Sequence, residues 1–132
     1  MLDLNYTLTA NRQFNDYKYS RDWVDEETYR LDLIEFCKPH YTILITVRRE
    51  RYKDRTLCRI QELTGWRPQE AFFNPYDRQP PECKELPLLN DIFPRHGLPG
   101  EGASYLAIES NNANVAMYRR HGILATEIAR LG

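Results

Sequence analysis

The 132-residue chain has no apolar run near the roughly 20 residues that a membrane-spanning helix needs. Its opening, MLDLNYTLTANRQ, lacks the basic start and long apolar core of a secretory leader. Net charge is scarce too: at −1 there is no global attraction to nucleic acid or to an acidic membrane, so any such pull must be local. Cysteine is sparse and odd in number, at Cys37, Cys58 and Cys83. That excludes a disulfide framework and points to a reducing, cytoplasmic setting. Cys37 and His40 have metal-ligand spacing, but no second close pair exists and Pro39 breaks the run between them, so no metal is expected. A glycine-rich phosphate loop, strand before and helix after, is missing as well. The glycines at 97, 100 and 102 precede a strand-like run instead, and read as a turn.

What is present is ordinary globular composition, 42% hydrophobic and 28% charged, in a length suited to one domain with a real core. Residues 2–8 alternate apolar and polar and predict a first strand with one buried face. Residues 11–22 read as a loop or a ragged second strand. Asp25 is a candidate N-cap for a helix running to Phe36 or Cys37, ended by Pro39. Residues 41–47, apolar and rich in β-branched side chains, predict a central strand. A helix follows with Leu57, Ile60 and Leu63 on one stripe, Asp54 or Thr56 as its cap and Gly65 as its stop. Between 66 and 99 prolines become dense, which predicts a long ordered loop or insertion anchored by Phe72, Phe73 and Tyr76.

The last quarter carries the clearest pattern. Residues 105–108, Tyr-Leu-Ala-Ile, have the length of a buried strand; Ser110, Asn111 and Asn112 are turn and N-cap residues; 113–121 reads as a helix, and Gly122 as its left-handed stop. Residues 125–128 could supply a following strand. The placement of Asn111, Asn114, Val115, Tyr118, Gly122 and Ile123 resembles the C-terminal strand–helix motif of the GNAT N-acetyltransferase superfamily. That resemblance implies transfer of an acetyl group from acetyl-CoA to an amine acceptor, the cofactor lying in a splay between the strands at 41–47 and 105–108. It implies Tyr118 as the general acid that protonates the leaving thiolate, and Asn111 near the pantetheine arm. The family's glycine-rich cofactor loop is absent, and the basic loop bearing Arg49, Arg51, Lys53 and Arg55 would have to hold the cofactor's phosphates in its place.

The same basic run, Arg48 to Arg59 with Tyr52 interleaved, or the aromatic proline-rich stretch from Trp66 to Tyr76, supports a second reading: a non-catalytic protein that binds nucleic acid or a protein partner. A small accessory or inhibitor protein of a phage or mobile element would be of this kind. A third account of those arginines is a solvated, salt-bridged face, with Glu50, Asp54 and Glu62 close by. The fold expected under either function is a single mixed α/β (α+β) domain. It would have a small, partly antiparallel sheet, about three helices and one long proline-rich loop.

Overall fold

The computed structural model describes residues 1–10, 23–101 and 103–128; the sequence reading of 11–22 lies outside them. The architecture is mixed α and β. Strand β1 (Ile43–Arg49) pairs in parallel with β2 (Glu70–Asn74), and β3 (Leu106–Glu109) in parallel with β4 (Leu124–Glu127). The two pairs are joined through residues 1–3. Leu2 bridges Leu44 on one side and Ile108 on the other, both in parallel. The Leu2 amide donates to the Ile43 carbonyl (2.9 Å), the Asp3 amide to Ile108 (3.0 Å) and the Ile108 amide to Met1 (3.0 Å).

Across the sheet the order is therefore β2, β1, residues 1–3, β3, β4. Numbered along the chain this is 3-2-1-4-5, the order of a doubly wound α/β sheet, in which the chain reverses its winding direction beside the first strand. Every paired strand runs parallel; among the described residues only the isolated bridge between Thr9 and Tyr29 is antiparallel. The partly antiparallel sheet expected from sequence is corrected accordingly, because helices intervene between successive strands and carry the chain back to the starting edge.

Those helices are α1 (Leu31–Cys37), α2 (Lys53–Thr64), α3 (Glu82–Pro87), α4 (Phe93–His96) and α5 (Asn112–Arg120). Both faces of the sheet are covered, and alternate strand residues serve each. Leu2, Leu44 and Ile108 pack with Leu33, Ile34 and Ile60 from α1 and α2. Ile43, Ile45 and Ala107 pack with Val115, Met117 and Tyr118 from α5 and with Leu88, Ile92 and Phe93. The period of two along each strand divides the apolar residues between two cores.

Three other expectations change. The alternation at 2–8 yields only the short central bridge, after which Leu4–Leu8 forms a tight turn with Tyr6 at φ 63°. Asp25 does not cap the first helix; it lies in a 3-10 turn, Trp23–Glu26. Helix α1 starts later because the backbone before it is already paired, Ala10 donating to Thr28 and Arg30 to Leu8. The proline-rich stretch is not a loop throughout. It contains β2, then helical turns from α3 through Leu88–Ile92 into α4. Pro81 and Pro94 stand at helix starts, where a missing N–H costs nothing, and Pro87 closes α3.

The local signals at β1 and α5 hold, as does the glycine stop of α2; neither Asp54 nor Thr56 caps α2, which starts at Lys53 after Tyr52 with no side-chain cap and carries both residues inside its first turns. Gly65 closes α2 at φ 71°. Helix α5 begins with the Asn111 side chain accepting from the amides of Ala113 and Asn114. It ends with Gly122 at φ 81°, where the amides of Gly122 and Ile123 donate to the carbonyls of Arg119 and Tyr118, a Schellman closure. No helix among the described residues is long and apolar enough to cross a membrane.

Candidate functional site

Parallel strands all end on one edge of the sheet, and in a doubly wound sheet the crevice forms where the winding reverses. Here that point lies between residues 1–3 and β3. Each of these strands ends in a carboxylate: Asp3 after Leu2, and Glu109 as the last residue of β3. Lys84 reaches them from α3. Its ammonium donates to Asp3 Oδ1 at 2.8 Å and to Glu109 Oε2 at 2.6 Å. Asp3 Oδ2 accepts from the hydroxyls of Thr7 (2.7 Å) and Ser110 (2.9 Å). Glu109 Oε1 accepts from the backbone amides of Ser110 (3.0 Å) and Asn111 (3.3 Å).

All three charged groups are sealed from solvent, with Lys84 at 0%, Glu109 at 1% and Asp3 at 6% exposure. Such a cluster is costly to fold, and a well-packed apolar trio of similar volume would stabilise the chain as well or better. The environment separates the two acids. Burial pushes the Asp3 carboxyl up, but the Lys84 charge and the hydrogen bonds from Lys84 and Thr7 outweigh it, leaving Asp3 below the usual carboxylate range. Burial dominates at Glu109, helped by the neighbouring Asp3 charge, and its carboxyl is raised despite Lys84. For Lys84, burial favours the neutral amine, yet the two carboxylates prevail and hold the ammonium well above its ordinary value.

The network continues along the same edge. Ser110 Oγ also donates to the Asn5 carbonyl (3.2 Å), and the Asn5 side chain accepts from Arg48 at 2.9 Å. Arg48 is buried at the end of β1, paired with Glu27 at 2.5 Å and bonded to Thr56 at 2.9 Å, with Trp23 stacked 4.7 Å from its guanidinium.

The residues singled out from sequence fall elsewhere. Tyr118 is 2% exposed in the second core. Burial raises its phenol, and the Lys84, Glu109 and Asp3 charges act on it from nearby. It stands behind the cluster, facing no cleft between β1 and β3. That gap does not exist as a splay, since residues 1–3 lie in it and hydrogen-bond both sides. Asn111 is the cap of α5. Arg49 pairs with Asp77 and Arg55 with Asp25, both at 3.0 Å and exposed. Arg51 lies over the Tyr52 ring at 4.8 Å, and Lys53 opens α2. Arg59 donates to the Glu27 carbonyl at 3.0 Å. The acids paired with Arg48, Arg49 and Arg55 are thus Glu27, Asp77 and Asp25, which come from other parts of the fold. Cys37 is buried, and its thiol is pushed up by burial. No group of three or more His, Cys, Asp or Glu among the described residues is placed to hold a metal ion.

Sequence reasoning missed Asp3, Lys84 and Glu109. A signal was available: two apolar strand runs, Met1-Leu2 and 105–108, are each followed at once by an acid.

No family model matches the chain, and no curated protein does. Solved structures do. A chain described as "Structure of the Pnkp1/Rnl/Hen1 RNA repair complex" superposes with a TM-score of 0.70 over 98% of this chain, at 16% identity and over 41% of its own length. A second, "Structure of Pnkp1/Rnl/Hen1 complex", gives 0.70 over 99% of this chain, at 16% identity and over 45% of its own. What is shared is the fold. The chain spans less than half the length of these structures.

Proposed function

We propose that the chain acts on phosphomonoesters, with Asp3 as the group that receives the phosphoryl. The observation that carries this reading is the convergence of Asp3, Lys84 and Glu109, buried, at the carboxyl ends of the two strands flanking the switch point. A fold of this kind serves many chemistries, so the assignment rests on the side chains. Phosphoryl transfer asks for an in-line nucleophile, a cation for the equatorial oxygens and hydroxyl or amide donors around them. Asp3, held ionised, supplies the first, and a carboxylate can form an acyl phosphate. The Lys84 ammonium and the hydroxyls of Thr7 and Ser110, which now surround the Asp3 carboxylate, supply the rest.

In the first step an Asp3 oxygen bonds to phosphorus as the ester P–O bond breaks, and the leaving alkoxide takes a proton delivered by Glu109. In the second, water attacks the acyl phosphate, Glu109 accepts its proton, and inorganic phosphate leaves with Asp3 restored. The RNA repair context named for the similar structures supports a phosphorylated RNA end as the substrate. Acetyl transfer is served less well by this geometry, because residues 1–3 fill the gap between β1 and β3 in which the cofactor would lie.

The test is release of inorganic phosphate from p-nitrophenyl phosphate and from oligoribonucleotides phosphorylated at the 3′ or the 5′ end, with Mg2+ present. Wild type should turn over at least one of them. Asp3→Asn should lower kcat by several orders of magnitude, and mass spectrometry of quenched wild type should find phosphate on Asp3. Absence of Asp3-dependent turnover on all substrates would overturn the reading.

A further inference from the structure

The strand edge that holds the Asp3 cluster carries a second feature two strands away. Strand β2 ends at Asn74, which is buried and pins the loop behind it. Its Nδ2 donates to the carbonyls of Arg78 (2.8 Å) and Val47 (3.4 Å), and its Oδ1 accepts from the Arg78 amide at 3.1 Å. Within the loop Asp77 takes φ 58°, and its carboxylate is tied to Arg49 at the end of β1. This construction holds Tyr76 out in solvent at 73% exposure, with the Arg78 guanidinium 4.9 Å from its ring centroid. Fixing the loop at both ends lowers the ordering cost that a mobile aromatic would pay on binding.

We propose that Tyr76 and Arg78 form a platform for single-stranded RNA: a base stacks on Tyr76 while Arg78 and Arg49 face the phosphates. The proposal extends the phosphomonoester reading to its macromolecular substrate. Two observations favour nucleic acid over a protein partner. The exposed ring is paired with arginine, a combination that stacks bases without regard to sequence and attracts backbone phosphate. The platform also lies on the same edge as Asp3. With β1 between β2 and residues 1–3, the lateral distance is two strand spacings, about 10 Å, so one strand of RNA could rest on Tyr76 with its phosphorylated end at the cluster.

Fluorescence anisotropy with a labelled single-stranded oligoribonucleotide, phosphorylated at one end, tests this in an Asp3→Asn background that prevents turnover. Tyr76→Ala should raise Kd roughly fivefold to a hundredfold, and Tyr76→Trp should keep it. Arg78→Ala should weaken binding and reduce the salt slope by about 0.7 for the phosphate contact it loses. With Asp3 intact, Tyr76→Ala should leave p-nitrophenyl phosphate turnover unchanged, since that ester is too small to reach the loop. Unchanged RNA affinity in Tyr76→Ala, or no RNA binding by the parent, would overturn the platform, even where phosphate release is intact. Tyr76-dependent RNA binding by a protein that releases no phosphate would sustain the platform while the phosphoryl reading fails.

Discussion

Replacing Lys84 by Met probes the centre of the fold and the candidate site together. The methionine fills similar volume, so packing changes little, but Asp3 and Glu109 are left buried and facing each other without their cation. The ammonium makes two contacts, 2.8 and 2.6 Å, both sealed from water. Breaking a buried pair in this way costs about 3–5 kcal/mol. Against a total domain stability of roughly 5–15 kcal/mol, that is a large fraction. At the usual few degrees per kcal/mol, the melting temperature should fall by on the order of 10–20 °C at neutral pH.

The pH dependence makes the assay specific. In wild type the folded-state pKa of Asp3 is depressed. Its contribution is therefore present above the unfolded pKa and is lost as pH falls through the folded value. In the variant both carboxyls lose Lys84, so Asp3 rises above its unfolded value and Glu109, already raised, rises further; acidification therefore stabilises the variant relative to neutral pH. The deficit should shrink between pH 7 and about 4.5, the unfolded carboxylate range. Urea unfolding of both proteins across that range measures it. The triple variant Asp3→Asn, Lys84→Met, Glu109→Gln should recover much of the loss at neutral pH. A deficit under about 1 kcal/mol, typical of exposed pairs, or one that does not vary with pH, would refute the buried-cluster account.

Asn111→Ala should cost about 1 kcal/mol by leaving the first amides of α5 without their cap, read from urea midpoints, with phosphate release retained. Tyr118→Phe should leave phosphomonoester turnover unchanged and shift stability by no more than about 1.5 kcal/mol; acetyl transfer from acetyl-CoA that is abolished by this change would restore the acetyltransferase reading instead.

Strand β1, helix α2 and the β3–α5–β4 unit were legible in the sequence because each is fixed by neighbours in the chain. The β-branched run at 43–47, the glycine at 65, and the Asn111 cap with the Gly122 stop are local decisions. The site was not legible, for the same physical reason in reverse. Asp3 and Lys84 are separated by 81 positions and Lys84 and Glu109 by 25, and no periodicity links them. Lys84 also sat among prolines that read as loop, although Pro81 and Pro87 bound a helix rather than prevent one. The arginine run misled in a similar way. Its charges were visible, but Arg48 finds Glu27 in the interior and Arg49 finds Asp77 across the sheet edge.

The three-residue strand at the centre of the sheet has a kinetic consequence. One of its two neighbours, β3, lies far along the polypeptide: Ser110 meets Asp3 across 107 positions. Closing so long a loop costs entropy that no local contact returns early, and folding slows as such contacts dominate. During synthesis, residues 1–3 can dock on β1 once it emerges, but must wait for β3 before the sheet is continuous. The Asp3–Lys84–Glu109 cluster is therefore assembled by the closing event itself. A chain cut short before residue 106 would retain many of its helices and still have no site, so phosphate release would report completion of the sheet.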